Sequence, residues 1–108
     1  MFNKGNMSNI LNQAREVQKR IEDVQSDLEK ITINAESGGG LVTVKINGKQ
    51  EILELNISKE AIEEDKELLE DLIISAINKA LSDSQEEMQS RMNSVTGGML
   101  GGLKIPGM

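Results

Sequence analysis

The chain has 108 residues, 37% of them hydrophobic, and a formal net charge of −6, a size that suits a single domain with a modest core. It contains no Cys, His, Trp or Tyr and one Phe. This excludes disulfides, Ser-His-Asp and Cys-His catalysis, Cys/His zinc sites and aromatic platforms for single-stranded bases, and it leaves an aliphatic core. The N-terminus lacks the apolar core of a signal peptide, and no apolar run approaches the ~20 residues of a membrane span.

Residues 1–6 read as a frayed lead-in, with Asn6 or Ser8 as the cap of a first helix. From there Met7, Ile10, Ala14, Val17, Ile21, Val24, Leu28 and Ile31 recur at alternating steps of three and four, which predicts one long helix ending near Lys30 with a narrow a/d stripe. So narrow a stripe needs a second long helix beside it. Alternation of Ile31, Ile33 and Ala35 with polar residues predicts a short strand. Ser37-Gly38-Gly39-Gly40 is followed by neither Gly-Lys-Ser/Thr nor a helix, so it reads as a strand connection and not a phosphate cradle. Leu41–Ile46 and Glu51–Ile57 read as a hairpin about Asn47-Gly48. A two-residue turn there would set Val42 opposite Leu53. Leu53, Leu55 and Ile57 would share the face of Val42, Val44 and Ile46, with Lys49 and Glu51 at its open end.

Ser58–Glu64 reads as an acidic connector with one irregular helical turn, and Asp65 as the N-cap of a second long helix over Lys66–Ser94. The acids of this region lack the Asp-x-Asp-x-Asp-Gly spacing of a calcium loop. The first half of the second helix is apolar on most faces. One side can cover the sheet, and the rest calls for a partner subunit, with Leu68, Leu72, Ile73 and Ile77 as the expected dimer interface. The second half narrows to Leu81, Met88, Met92 and Val95, a seam that matches the first helix. From Gly97 the glycines and Pro106 predict a flexible tail over 97–108, which leaves 1–96 as the domain.

The fold class is therefore α+β: a long helix, a three-stranded antiparallel sheet and a second long helix antiparallel to the first, in a dimer with protruding helical arms. Charge is segregated along this plan. Residues 58–71 carry seven acids and two lysines, for −5, at the base. Lys4, Arg15, Lys19 and Arg20 against Glu16 give residues 1–20 a charge of +3, and Arg91 and Lys104 give residues 88–108 a charge of +2, both at the arm tips. The seam leaves Arg15, Lys19, Arg20 and Arg91 on outward faces, where they are the candidate phosphate contacts together with Lys4 in the lead-in. Their alternative is pairing with Glu16, Glu22, Asp23, Glu86 and Glu87 along the arm. Two other functions fit the same plan. One is a prefoldin-like holding chaperone gripping clients with Met88, Met92, Met99 and Leu100, and the other is a structural scaffold dimer.

Lys4-Gly5-Asn6-Met7, Glu36-Ser37-Gly38-Gly39-Gly40-Leu41-Val42, Asn47-Gly48, Ile57-Ser58, the block from Asp65 to Ile73, and Ser94-Val95-Thr96-Gly97-Gly98-Met99 stand in order along the chain. This set resembles the YbaB/EbfC family of bacterial nucleoid-associated proteins over essentially the whole length. Ser58-Lys59 departs from the Asp-Pro of many relatives. The resemblance implies a homodimer with tweezer-like arms, binding of double-stranded DNA with little sequence specificity, and a cytoplasmic location at the nucleoid. It implies no enzymatic activity, cofactor, metal, membrane or small-molecule substrate. It supplies no contact motif, so the contact residues rest on charge and geometry.

Overall fold

A computed structural model describes residues 4–100 of the chain. The elements run α1 (Lys4–Lys30), β1 (Ile33–Ser37), β2 (Val42–Ile46), β3 (Ile52–Ile57), α2 (Lys59–Ile62) and α3 (Lys66–Leu100). The strands form one antiparallel sheet in the order β1-β2-β3. This is the α+β plan of helix, meander and helix.

The core lies where α3 crosses β1 and β2. Ala35, Val42, Val44 and Ile46 from the sheet meet Ala76 and Ala80 from α3, all of them buried. The two alanines lie one turn apart and let the helix backbone approach the sheet closely. Leu69, Leu72, Ile73, Ile77 and Leu81 close the core at its sides. Leu72, Ile73 and Ile77 of the expected dimer interface thus pack against their own sheet, while Leu68 stays 42% exposed. Beyond the sheet, α1 packs on α3, and the protein extends 73 Å along its long axis.

Several sequence expectations are corrected in detail. The first helix opens at Lys4, so Asn6 and Ser8 lie inside it and do not cap it. At the other end of the chain α3 continues through Gly97 and Gly98 to Leu100, six residues past Ser94. Residues 101–108 of the expected tail lie outside the described residues.

The hairpin correction is larger. Val42 pairs with Ile57 and Val44 with Leu55, and Leu53 is the extra residue at an irregularity where Lys45 pairs with Glu54 and Ile46 with Ile52. Asn47–Glu51 is thus a five-residue loop closed by a hydrogen bond from Asn47 N to the Glu51 carbonyl at 3.0 Å. Lys49 and Glu51 belong to this loop and not to the strand face. The residue with positive φ is Gln50, at 64°, not Asn47 or Gly48. Asn47 instead works through its side chain, whose Oδ1 accepts from Lys49 N at 2.9 Å and from Glu51 N at 3.0 Å.

The other connections follow the sequence. Gly38, Gly39 and Gly40 all have positive φ in the β1–β2 turn, and a Cβ on Gly38 would stand 2.9 Å from Leu72 Cδ2. Ser58 caps the short α2 by accepting from Ala61 N at 3.1 Å. Asp65 caps α3 by accepting from Leu68 N at 2.7 Å.

Candidate nucleic-acid interface

The arm is built by the α1 stripe. Leu28 is fully buried at its base, Val24, Ile21 and Val17 are half-buried further out, and Ala14, Ile10 and Met7 are exposed. The α3 half of the seam, Met88, Met92 and Val95, is half-buried alongside it. Apolar contact between the two helices therefore thins toward the tip.

Arg15, Lys19 and Arg20 lie on the outer part of α1 and are exposed. None of them forms an ion pair among the described residues. Arg15 and Lys19 are one turn apart on the same face, and Arg20 lies about 100° further round the helix. The three span roughly 7.5 Å of helix axis, about two base-pair rises of B-DNA. Chemically this is a cluster of cationic side chains able to meet phosphates without reading bases. The side chain of Lys4 and all of Lys104 lie outside the described residues.

Arg91 is different. Its Nε donates to Glu87 Oε1 at 2.9 Å, and its side chain is 37% exposed. The alternative reading of the cations as paired along the arm thus holds for this one residue. Nearby, Asp83, Glu86, Glu87 and Ser90 line a groove with Ile33. The α3 side of the arm is therefore acidic, and the expected convergence of cations from both helices reduces, among the described residues, to α1 alone. Within α1 the charge is graded. Residues 22–30 hold Glu22, Asp23, Asp27 and Glu29 against Lys30, for −3, opposite the positive outer half.

On the outer face of the sheet Lys45 Nζ sits 3.3 Å from Glu54 Oε2, a pair set directly by the strand register. The remaining apolar exposure is concentrated away from the arm. Ile52, Leu53 and Leu55 of β3, with Ile62, Leu68 and Ile74, are each more than 40% exposed. The reason is that α3 packs mainly on β1 and β2. Sequence reasoning missed two residues at the root of the arm, Ser84 and Gly48. The signal for Ser84 was a small polar residue in the middle of an apolar helix face, and Gly48 offered none beyond its turn propensity. Among the described residues no helix is long and apolar enough to cross a membrane.

A nucleoid-associated protein of Ruminiclostridium cellulolyticum is 47% identical over 105 residues, 96% of this chain and 89% of its own length. One from Clostridium kluyveri is 44% identical over the same shares of the two chains. The crystal structure of an uncharacterized protein from Helicobacter pylori has a similar fold, with a TM-score of 0.64 at 26% identity, covering 72% of this chain and 92% of that one. A family model described as the YbaB/EbfC DNA-binding family matches residues 3–99. With a match of that length, the chain belongs to the YbaB/EbfC DNA-binding family, whose relatives carry the name nucleoid-associated protein and not that of an enzyme.

Proposed function

We propose that the protein is a homodimer that binds duplex DNA through phosphate contacts from the outer half of α1, with little dependence on sequence, in the cytoplasm at the nucleoid. The observation that carries this reading is the row Arg15, Lys19 and Arg20, exposed and free of ion pairs among the described residues, on an arm whose other end is acidic. Phosphate contact needs no aromatic residue, and the chain has a single Phe and no Tyr or Trp. The uncovered apolar side chains of β3 and of α3 near Leu68 and Ile74 supply a surface for the second copy.

Fluorescence anisotropy with two unrelated duplexes of equal length tests the DNA reading, and sedimentation at low micromolar concentration tests the dimer. Similar affinity for both duplexes, lost in Arg15→Glu with Arg20→Glu and kept in Lys45→Glu with Lys49→Glu, is the expected result. Impairment by the sheet pair alone would move the site to the hairpin. A monomer in sedimentation would refute the dimer.

The exposed Met7, Ile10 and Leu11 near the tip favour a second reading as a holding chaperone. Met88 and Met92 are half-buried in the seam, and the side chains of Met99 and Leu100 lie outside the described residues. Suppression of the aggregation of an unfolded client, unchanged by the charge reversals, would favour it over DNA binding.

A further inference from the structure

The β2–β3 loop grips both helices at the point where the arm leaves the sheet. On one side stands Ser84 of α3, fully buried. Its hydroxyl donates to the Asn47 carbonyl at 2.7 Å and accepts from Gln50 N at 3.0 Å. On the other side Gly48 N donates to the Leu28 carbonyl at 2.7 Å, and Asn47 Nδ2 reaches the Glu29 carbonyl at 3.5 Å. Both carbonyls lie in the last turn of α1, where no donor from within the helix is available. Contact at Gly48 is close: a Cβ there would fall 2.6 Å from Leu28 Cδ2 and 2.9 Å from the Leu28 carbonyl oxygen. The loop is also stiff in itself, because the buried Asn47 holds Lys49 N, Glu51 N and the Glu51 carboxylate through its side chain.

This matters because the seam alone defines the direction of the arm weakly, its contacts thinning from Leu28 outward. Leverage is large. Arg15 lies thirteen residues from Leu28, about 20 Å along the helix. A tilt of about 10° at Leu28 displaces Arg15 by roughly 3 Å, a full hydrogen-bond length and so enough to break contact with a phosphate.

We infer that the loop is a clamp that fixes the direction of the arm, and that Ser84 and Gly48 are positioning residues for DNA binding. The second half of the inference rests on the reading that the arm holds DNA. Neither residue bears charge or reaches the outer face of α1.

Because the chain has no cysteine, Asn12→Cys and Asn56→Cys place one spin label on the arm and one on the sheet of the full-length protein. Dilution with unlabelled chain restricts the measured distance to one subunit. Ser84→Ala and Gly48→Ala are compared with the parent and with Val44→Ala, which loosens the core without touching the clamp. Circular dichroism verifies helix content in each. The expected result is one narrow distance in the parent and in Val44→Ala, and a broadened or displaced one in both clamp variants. Duplex affinity should fall several-fold in the clamp variants with the salt slope unchanged, since no charge is lost. Narrow distances in both clamp variants would overturn the clamp. Broadened distances with parental affinity, or an equal loss of affinity in Val44→Ala, would overturn the positioning role of Ser84 and Gly48 in DNA binding. Gly48→Ala keeps the test open if Ser84→Ala does not fold, and the reverse. A failure of the charge reversals at Arg15 and Arg20 to weaken binding refutes the DNA reading and leaves the distance result standing.

Discussion

Replacing Arg15, Lys19 and Arg20 together by Gln should remove most of the salt dependence of duplex binding. Gln keeps the polarity and helix propensity of the side chains while removing the charge. Each neutralised phosphate contributes about 0.9 to the slope of log K against log salt. Three cations on each arm give a slope of about −2.7 if one arm of the dimer engages and about −5.4 if both do. Between 50 and 200 mM salt these correspond to losses of about 40-fold and about 2,000-fold. The parent slope therefore also counts the arms in contact. In the triple variant the slope should approach zero. Arg91→Gln should change it by well under one unit, because the Arg91 guanidinium is already held by Glu87 at 2.9 Å. Anisotropy titrations of a labelled duplex at four or more salt concentrations supply the slopes. A parental slope in the triple variant, or an equal fall in Arg91→Gln, would refute the assignment of phosphate contact to α1.

Leu55→Glu and Leu68→Glu alter side chains 43% and 42% exposed in the single chain, so each should shift sedimentation to the monomer while helix content is kept. Ile73→Glu and Ile77→Glu charge residues packed on the Val44–Ala76 core and should unfold the chain, read as lost ellipticity. Asp65→Ala removes the N-cap of α3 and should cost about 1 kcal/mol, a fall in Tm of roughly 4–8 °C.

The elements were legible because their periods are long and uninterrupted, a heptad over α1 and alternation in β2, and because Asp65 caps α3. The hairpin register was not. Asn47-Gly48 is a strong two-residue turn signal, yet here Asn47 uses its amide as a local hydrogen-bonding hub, and Gly48 is needed for its missing side chain against Leu28. Both uses depend on α1 and α3 being in place, which no local pattern encodes. At the site, the exposed row on α1 followed from the seam. The pairing of Arg91 was also readable, since Glu four residues before Arg is the favourable helical order. Ser84 was not readable in its role, because its two partners come from a loop whose length the sequence concealed.

A chain of charge −6 can still hold DNA if its charges are far enough apart, and distance can be read from the clamp. Ser84 and Leu28 stand at one level because the same loop binds both. From there Arg20 lies about 12 Å outward along α1 and Glu67 about 26 Å the other way along α3, some 38 Å apart. At 0.15 M salt the Debye length is about 8 Å, so the acidic base of residues 58–71 is invisible to DNA at the tip. At 0.01 M it is about 30 Å, and the repulsion becomes felt. The plot of log K against log salt should therefore be straight near physiological salt and flatten toward 10 mM. Glu63→Gln with Glu64→Gln and Glu67→Gln, remote from the arm, should straighten it at low salt and leave the affinity at 0.15 M unchanged. Anisotropy down to 10 mM measures both. A line straight to the lowest salt in the parent, or a gain at 0.15 M in the triple variant, would mean that DNA lies nearer the base than the tip.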